Sequence, residues 1–203
     1  MSGPALVILA AGASERLGSC KALVDLGGRT PLARLLSAGA GLDAAPALVI
    51  AGRDHAALAA AAPAGVEVVH HAGWAEGRTG GVQLAQRLRP GLALCLAPVD
   101  VPRVPAQVFA RLRAAWIEAG APPAGWLAPR APGRPPRHGH PVVLGPALLD
   151  EAAALFPDAP LRSLRSRARP LLDVPVPGRE VLENLDSPAD LERLRALLGR
   201  RRP

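Results

Sequence analysis

The chain is predicted to be an α/β protein: a single-domain, three-layer α/β/α fold around a mostly parallel sheet. Short, wholly apolar runs recur along its first hundred residues, with segments of helical period between them. Runs of that kind suit strands buried on both faces, as in a parallel sheet covered by helices. The length of 203 residues fits one domain and is enough to bury a core without disulfides or a structural metal.

Taken in order, Ala5 to Leu9 reads as the first buried strand, Pro31 to Ala40 as a helix and Ala47 to Ile50 as the second strand. His55 to Ala62 is helical by its alanine content, and the β-branched stretch Val66 to Val69 is the third strand. Thr79 to Arg89 reads as a helix, Leu92 to Leu96 as the fourth strand, and Pro105 to Ala119 as a helix opened by proline. The pattern then breaks between Pro122 and Pro141, where seven of twenty residues are proline. Trp126 to Ala128 and Pro141 to Leu144 read as short strands, and the arginine-bearing stretch between them, Arg130 to His138, as a loop. Only about sixty residues follow, so this is a loop within one domain rather than a linker. A helix over Pro146 to Leu155, another from Leu161, and a strand at Leu171 to Val174 complete the alternation. The last helix is the best marked. Ser187-Pro188-Ala189-Asp190 supplies an N-cap hydroxyl, proline at N1 and an acid at N3, and Leu191, Leu194, Leu197 and Leu198 then share one face. Residues 199–203 read as a basic, frayed tail.

Composition excludes several classes. With 49% apolar and 20% charged residues the chain is not disordered throughout. No apolar run approaches the roughly 18 residues of a spanning helix, so no membrane role is expected. Met1-Ser2-Gly3-Pro4 lacks the basic start of a secretory leader. Cys20 and Cys95 are too few for a disulfide framework, so a cytoplasmic location is expected. The net charge of +7 suits an anionic partner, and Lys21 is the only lysine among 24 basic residues. Two phenylalanines and no tyrosine leave little surface for stacking single strands, so nucleic acid is not the expected partner. Exposed arginines in an arginine-biased chain explain Arg162, Arg165, Arg167 and Arg169.

Chemistry concentrates after the first strand, in Leu9-Ala10-Ala11-Gly12-Ala13-Ser14-Glu15-Arg16-Leu17-Gly18-Ser19-Cys20-Lys21. A parallel strand running into small residues presents backbone N–H groups at the carboxyl edge of the sheet, where open α/β sheets bind ligands. Small side chains at Ala10, Ala11, Gly12 and Ala13 would allow close backbone approach, Leu9 to Gly12 are the candidate nucleotide-binding positions, and Arg16 and Lys21 add cations of the kind a polyphosphate needs. Gly12-Ala13-Ser14 breaks a dinucleotide fingerprint, and Gly18-Ser19-Cys20-Lys21-Ala22 breaks a Walker loop. Asp100, just past the fourth strand, faces the same edge and is a candidate Mg²⁺ ligand; a helix-capping role is the alternative. Cys20 reads as a small loop filler and Cys95 as core. His70 and His71 are adjacent in a strand and point to opposite faces, so they are not a metal pair.

The loop matches L-A-A-G-x-S-x-R-x-G-x-x-K at every fixed position. It resembles the nucleotidyltransferases of Rossmann-like, glycosyltransferase-A-like fold, and within them most resembles the molybdenum cofactor cytidylyl- and guanylyltransferases. The resemblance spans about Leu6 to Leu194. Asp100-Val101-Pro102 reproduces the family's aspartate followed by a variable residue and proline. Glu183-Asn184-Leu185-Asp186-Ser187-Pro188 resembles its late metal segment, which implies Asp186, with Asn184 second, as the other Mg²⁺ ligand. Gly139-His140-Pro141 resembles the G-H-P of the cytidylyl group, which implies that His140 touches the acceptor or only packs its loop, and places the proline-rich 122–141 on the substrate side. Gly77-Arg78-Thr79-Gly80-Gly81 departs from the family: Gly81 stands where a serine is usual, leaving Thr79 as the nearby hydroxyl.

The resemblance implies Mg²⁺-dependent transfer of a nucleotidyl group from an NTP to a small phosphorylated acceptor, with release of pyrophosphate. Molybdopterin is the implied acceptor, and CTP is favoured over GTP because the Ala11 methyl crowds a purine. An acceptor molybdoenzyme or its chaperone is a further possible partner. A guanylyl- or sugar-phosphate nucleotidyltransferase, or a catalytically silent nucleotide-binding protein, is the alternative.

Overall fold

The computed structural model describes residues 3–199. The basic tail read at 199–203 therefore lies outside the described residues, apart from Gly199. β1 (Ala5–Ala10) is central, flanked in parallel by β2 (Leu48–Ala51) and β4 (Leu94–Pro98), and β3 (Glu67–His70) runs parallel to β2. Beyond β4 the direction reverses. β7 (Val142–Leu144) pairs antiparallel with both β4 and β5 (Trp126–Ala131), while β8 (Leu171–Pro175) runs parallel to β5. The sheet is thus mixed, with four parallel strands on the side of the first loop.

Strand alternation assigns the two faces. Leu6, Ile8, Val49, Cys95 and Ala97 point into one apolar cluster, Val7, Leu48, Ile50, Leu94 and Leu96 into another. The first is covered by α1 (Pro31–Ala38), α2 (His55–Ala61) and α4 (Ala106–Glu118), whose Leu35, Leu58, Phe109, Leu112 and Trp116 are fully buried. The second lies under α3 (Arg78–Leu88) and α5 (Pro146–Ala152). Each such buried Leu or Phe contributes about 1.5–3 kcal/mol. A third cluster joins Leu26, Leu185 and Leu194, so that α6 (Pro188–Gly199) clamps the end of the chain onto the first loop region. Among the described residues no helix is long and apolar enough to cross a membrane.

Two sequence expectations need correction. Arg130 to His138 is not a loop: Arg130 and Ala131 end β5, β6 (Arg137–His138) pairs back onto them antiparallel, and only 132–136 turn. The prolines mask this hairpin but are tolerated for a physical reason. Between the His138 and Val143 pairings, the β6–β7 side carries two more residues than β5, so Pro141 sits in a bulge, with Pro129 opposite it. The helix expected from Leu161 is a 3-10 turn, Leu161–Ser166.

Candidate active site

The first loop closes on itself. Ser14 adopts φ 52° and its carbonyl accepts from the N–H groups of Leu17 and Gly18 at 3.0 and 3.1 Å. Its hydroxyl accepts from the Lys21 N–H at 3.2 Å, which folds Lys21 back towards the sheet edge. The turn after β2 presses on this loop: a Cβ at Gly52 would lie 2.2 Å from the Ala11 carbonyl oxygen, so only glycine fits. The neighbouring Arg53 guanidinium donates to the Ala13 carbonyl.

A cavity of about 510 Å³ opens over this edge. Leu9, Ala10, Ala11, Gly12, Arg16, Lys21, Gly81, Asp100 and Asp186 all line it. A Cβ at Gly12 would meet no atom within 4 Å, so nothing in the protein fills the space above that backbone. The loop and the two carboxylates, remote from one another in sequence, therefore share one cleft.

Asp186 is placed by its neighbours. Leu185 is fully buried and its N–H donates to the Asp100 carbonyl at 2.7 Å, which ties the two acidic segments together. On the other side Asp190 closes a reciprocal cap: its carboxylate accepts from the N–H groups of Asp186 and Ser187, and its own N–H donates to the Ser187 hydroxyl. Chiefly the Arg193 hydrogen bond pulls the Asp190 carboxyl down to about 2. Lys21 Nζ donates to Asp186 Oδ1 at 2.7 Å, Arg16 lies 3.7 Å from the same oxygen, and Asn184 Nδ2 is 3.5 Å from Oδ2. The Lys21 hydrogen bond, foremost, holds the Asp186 carboxyl below the usual carboxylate range.

Not every expected residue reaches the cleft. Thr79 is only 2% exposed, and its hydroxyl donates to the Ala159 carbonyl at 2.6 Å. It is turned away from the cleft because the first turn of α3 packs on Pro157: a Cβ at Gly77, where φ is 155°, would lie 2.1 Å from the Pro157 oxygen. The reading of Thr79 as a nucleotide-facing hydroxyl is therefore corrected to a buried structural bond. His140 lies in the β6–β7 bulge outside the cavity lining, its N–H donating to the Val181 carbonyl. Desolvation by the surrounding protein, foremost, lowers its pKa; the Asp100 charge opposes this and the Arg78 charge adds to it. Asn184 contacts Asp186 without lining the cavity.

Other residues line the cavity without having been singled out: Ser14, Asp54, Trp74 and Arg78. Ser14 is a fixed position of the loop signature. Asp54, Trp74 and Arg78 follow β2 and β3, and the convergence of parallel strand ends on one edge is the signal that points to them. Asp54 and burial raise the Cys20 thiol's pKa, with burial the larger cause, so Cys20 is a neutral filler and not an activated nucleophile. His70 meets the His55 ring at a tilt, with centroids 5.2 Å apart, while His71 faces Gly80, so the two histidines do diverge. Among the described residues no three His, Cys, Asp or Glu side chains cluster so as to hold a metal alone.

The fold and sequence have counterparts among known proteins. The protein Rv0371c of Mycobacterium tuberculosis is 26% identical, with 97% of this chain and 99% of that one aligned at a TM-score of 0.75. A complex of the same protein with manganese aligns over 96% and 99% at 25% identity and a TM-score of 0.75. The molybdopterin-guanine dinucleotide biosynthesis protein A of Archaeoglobus fulgidus shares the fold at 17% identity, over 96% and 98% of the two chains, with a TM-score of 0.70. No curated protein matches the sequence. The MobA-like NTP transferase domain matches residues 6–172. The chain therefore belongs to the family of MobA-like NTP transferase domains and is a nucleotidyltransferase.

Proposed function

We propose that this cleft transfers a cytidylyl group from CTP to the terminal phosphate of molybdopterin. One observation carries the reading: Lys21, Asp100 and Asp186 line a single cavity together with the small-residue loop. An oxygen of the acceptor phosphate attacks the α-phosphorus, the bond between the α-phosphorus and the bridging oxygen breaks, and pyrophosphate leaves. A phosphate monoester is largely a dianion at neutral pH, its second pKa being about 6, so the acceptor brings its own nucleophile and no side-chain base is needed. The chain's contribution is alignment and charge. Leu9 to Gly12 line the pocket for the triphosphate, with the Gly12 backbone open, and Lys21 and Arg16 offset charge on the departing pyrophosphate. The methyl of Ala11 favours a pyrimidine. His140, outside the cavity lining in the β6–β7 bulge, is assigned to the acceptor side.

Asp100 and Asp186 suit Mg²⁺ by the chemistry of their donors: hard carboxylate oxygens, of the number Mg²⁺ uses when substrate phosphates and water supply the rest. The manganese complex of the Mycobacterium tuberculosis relative supports a cation of this class. When bound, Mg²⁺ would neutralise the triphosphate and hold it in line. The reaction would run in the cytoplasm, with a molybdoenzyme or its chaperone receiving the product.

The test is pyrophosphate release with each of the four NTPs in turn, with Mg²⁺, with and without molybdopterin. Release is expected with CTP and only with molybdopterin present. A preference for GTP would overturn the base assignment, release with a sugar phosphate in place of molybdopterin would overturn the acceptor, and NTP binding without any release would identify a silent binder.

A further inference from the structure

A second pocket, of about 280 Å³, lies away from the cleft, between α1, the segment that follows Asp100, and Leu198 of α6. Three arginines line it, Arg29, Arg34 and Arg103, and none of its lining residues is acidic. The amino end of α4 forms another wall through Pro105 and Ala106. That helix has no side-chain cap and no acid in its first turn, so the positive end of its dipole is uncompensated. The Arg103 side chain is only 5% exposed. One of its nitrogens is paired with Glu183, while its buried Nε has no hydrogen-bond partner among the described residues.

Arg34 also donates Nε and Nη2 to the Leu26 carbonyl and Nη2 to that of Gly27, so three guanidinium charges meet at the pocket and Glu183 is the carboxylate paired among them; the excess positive charge is costly, and an unpaired buried donor adds to that cost. Burial first, and then the charges of Arg29 and Arg103, pull the pKa of Arg34 down, although Asp25 partly compensates. An oxyanion seated beside the three guanidiniums and the α4 amides would offset that excess charge. We propose that this pocket is a binding site for a phosphoryl group, distinct from the nucleotide cleft and independent of the reading given above for that cleft. Planar arginine forks match phosphate oxygens better than a point charge would, and the pocket has room for more than a bare anion. Its Arg103 wall also holds Glu183, three residues before Asp186, so the pocket shares a strut with the acidic segment of the cleft.

The experiment is a titration of inorganic phosphate followed by the Nε–H resonances of the arginine side chains, with chelator present and ionic strength held constant. The Arg34 and Arg103 signals should move saturably in the native chain, and identically in Lys21→Ala, whose lesion is in the other cleft. Arg29→Gln, at an exposed position whose guanidinium donates to the Ala33 carbonyl, should weaken the titration by about tenfold or more. Signals that do not move, that move equally with chloride, or that titrate unchanged in Arg29→Gln would overturn the site. Tighter titration by citrate than by phosphate would overturn the phosphoryl assignment.

Discussion

Replacing Lys21 with alanine separates a structural ion pair from a functional charge, because the two roles predict different sizes of effect on different observables. The Lys21 and Asp186 side chains are 14% and 22% exposed, so the pair is neither freely solvated nor sealed. Removing one partner of a fully buried pair costs about 3–5 kcal/mol, and an exposed pair is worth about 0.2–1 kcal/mol. Here the remaining carboxylate keeps water and Arg16 at 3.7 Å, so the expected loss is about 1 kcal/mol, or roughly 2–4 °C in Tm for a domain of this size. Turnover should fall much further, by about 10²-fold, the scale of losing one preorganised charge contact at a transition state. Both are measured on the same sample, by thermal unfolding and by pyrophosphate release at saturating NTP and Mg²⁺. The pH dependence adds a sign. Asp186 has a depressed pKa in the folded chain, so its stabilising contribution is present above the unfolded carboxylate pKa and is lost as pH falls through the folded value. The Lys21 bond is the main cause of that depression, so the stability gap between native and variant should be widest near neutral pH and close in acid. Turnover within about threefold of native, at the same loss of stability, would show that Lys21 only braces Asp186.

Three further substitutions bear on the site. Gly12→Ala meets no protein atom within 4 Å, so stability should stay within about 0.5 kcal/mol while NTP affinity, read by calorimetry, falls about tenfold as the methyl enters the cleft. Thr79→Val should cost about 1–2 kcal/mol through the lost bond to Ala159 yet leave kcat/KM near native; a large fall in kcat/KM at unchanged Tm would return Thr79 to the nucleotide. Gly81→Ser should be accommodated, since its Cβ would lie 3.4 Å from the nearest atom, Ile50 Cγ2. The added hydroxyl should change the ratio of CTP to GTP kcat/KM by about 2- to 10-fold, and an unchanged ratio would remove position 81 from base selection.

The parallel half of the molecule was legible because its strands are buried on both faces and leave unbroken apolar runs, as in Ala5 to Leu9. The loop after β1 was legible because close backbone approach demands small residues, and these survive in the sequence as Ala10-Ala11-Gly12. The antiparallel half was harder to read. Pro129 and Pro141 look like strand breakers, and only the register between β5 and β7 shows that they fall at a bulge where the ladder is already interrupted. Thr79 misled because sequence places it beside the cleft but does not give the direction of its side chain, which packing of Gly77 against Pro157 decides. The Lys21–Asp186 contact joins positions 165 apart, and the resemblance could pair them only as members of one site, not as hydrogen-bonded partners. Nothing in the sequence marks the Arg29–Arg34–Arg103 pocket, because in an arginine-biased chain three more arginines carry no signal.

The most direct measurement is CTP-dependent stabilisation of the native chain and of Asp100→Ala, each with Mg²⁺ and with chelator. In the native chain, CTP at about 100 times its Kd should add about 2.7 kcal/mol with Mg²⁺ and markedly less with chelator. Asp100→Ala, folded as judged by its own melting transition, should lose that Mg²⁺ dependence. Equal stabilisation of both chains, insensitive to chelator, would contradict a nucleotide site built on Asp100 and the loop of Lys21.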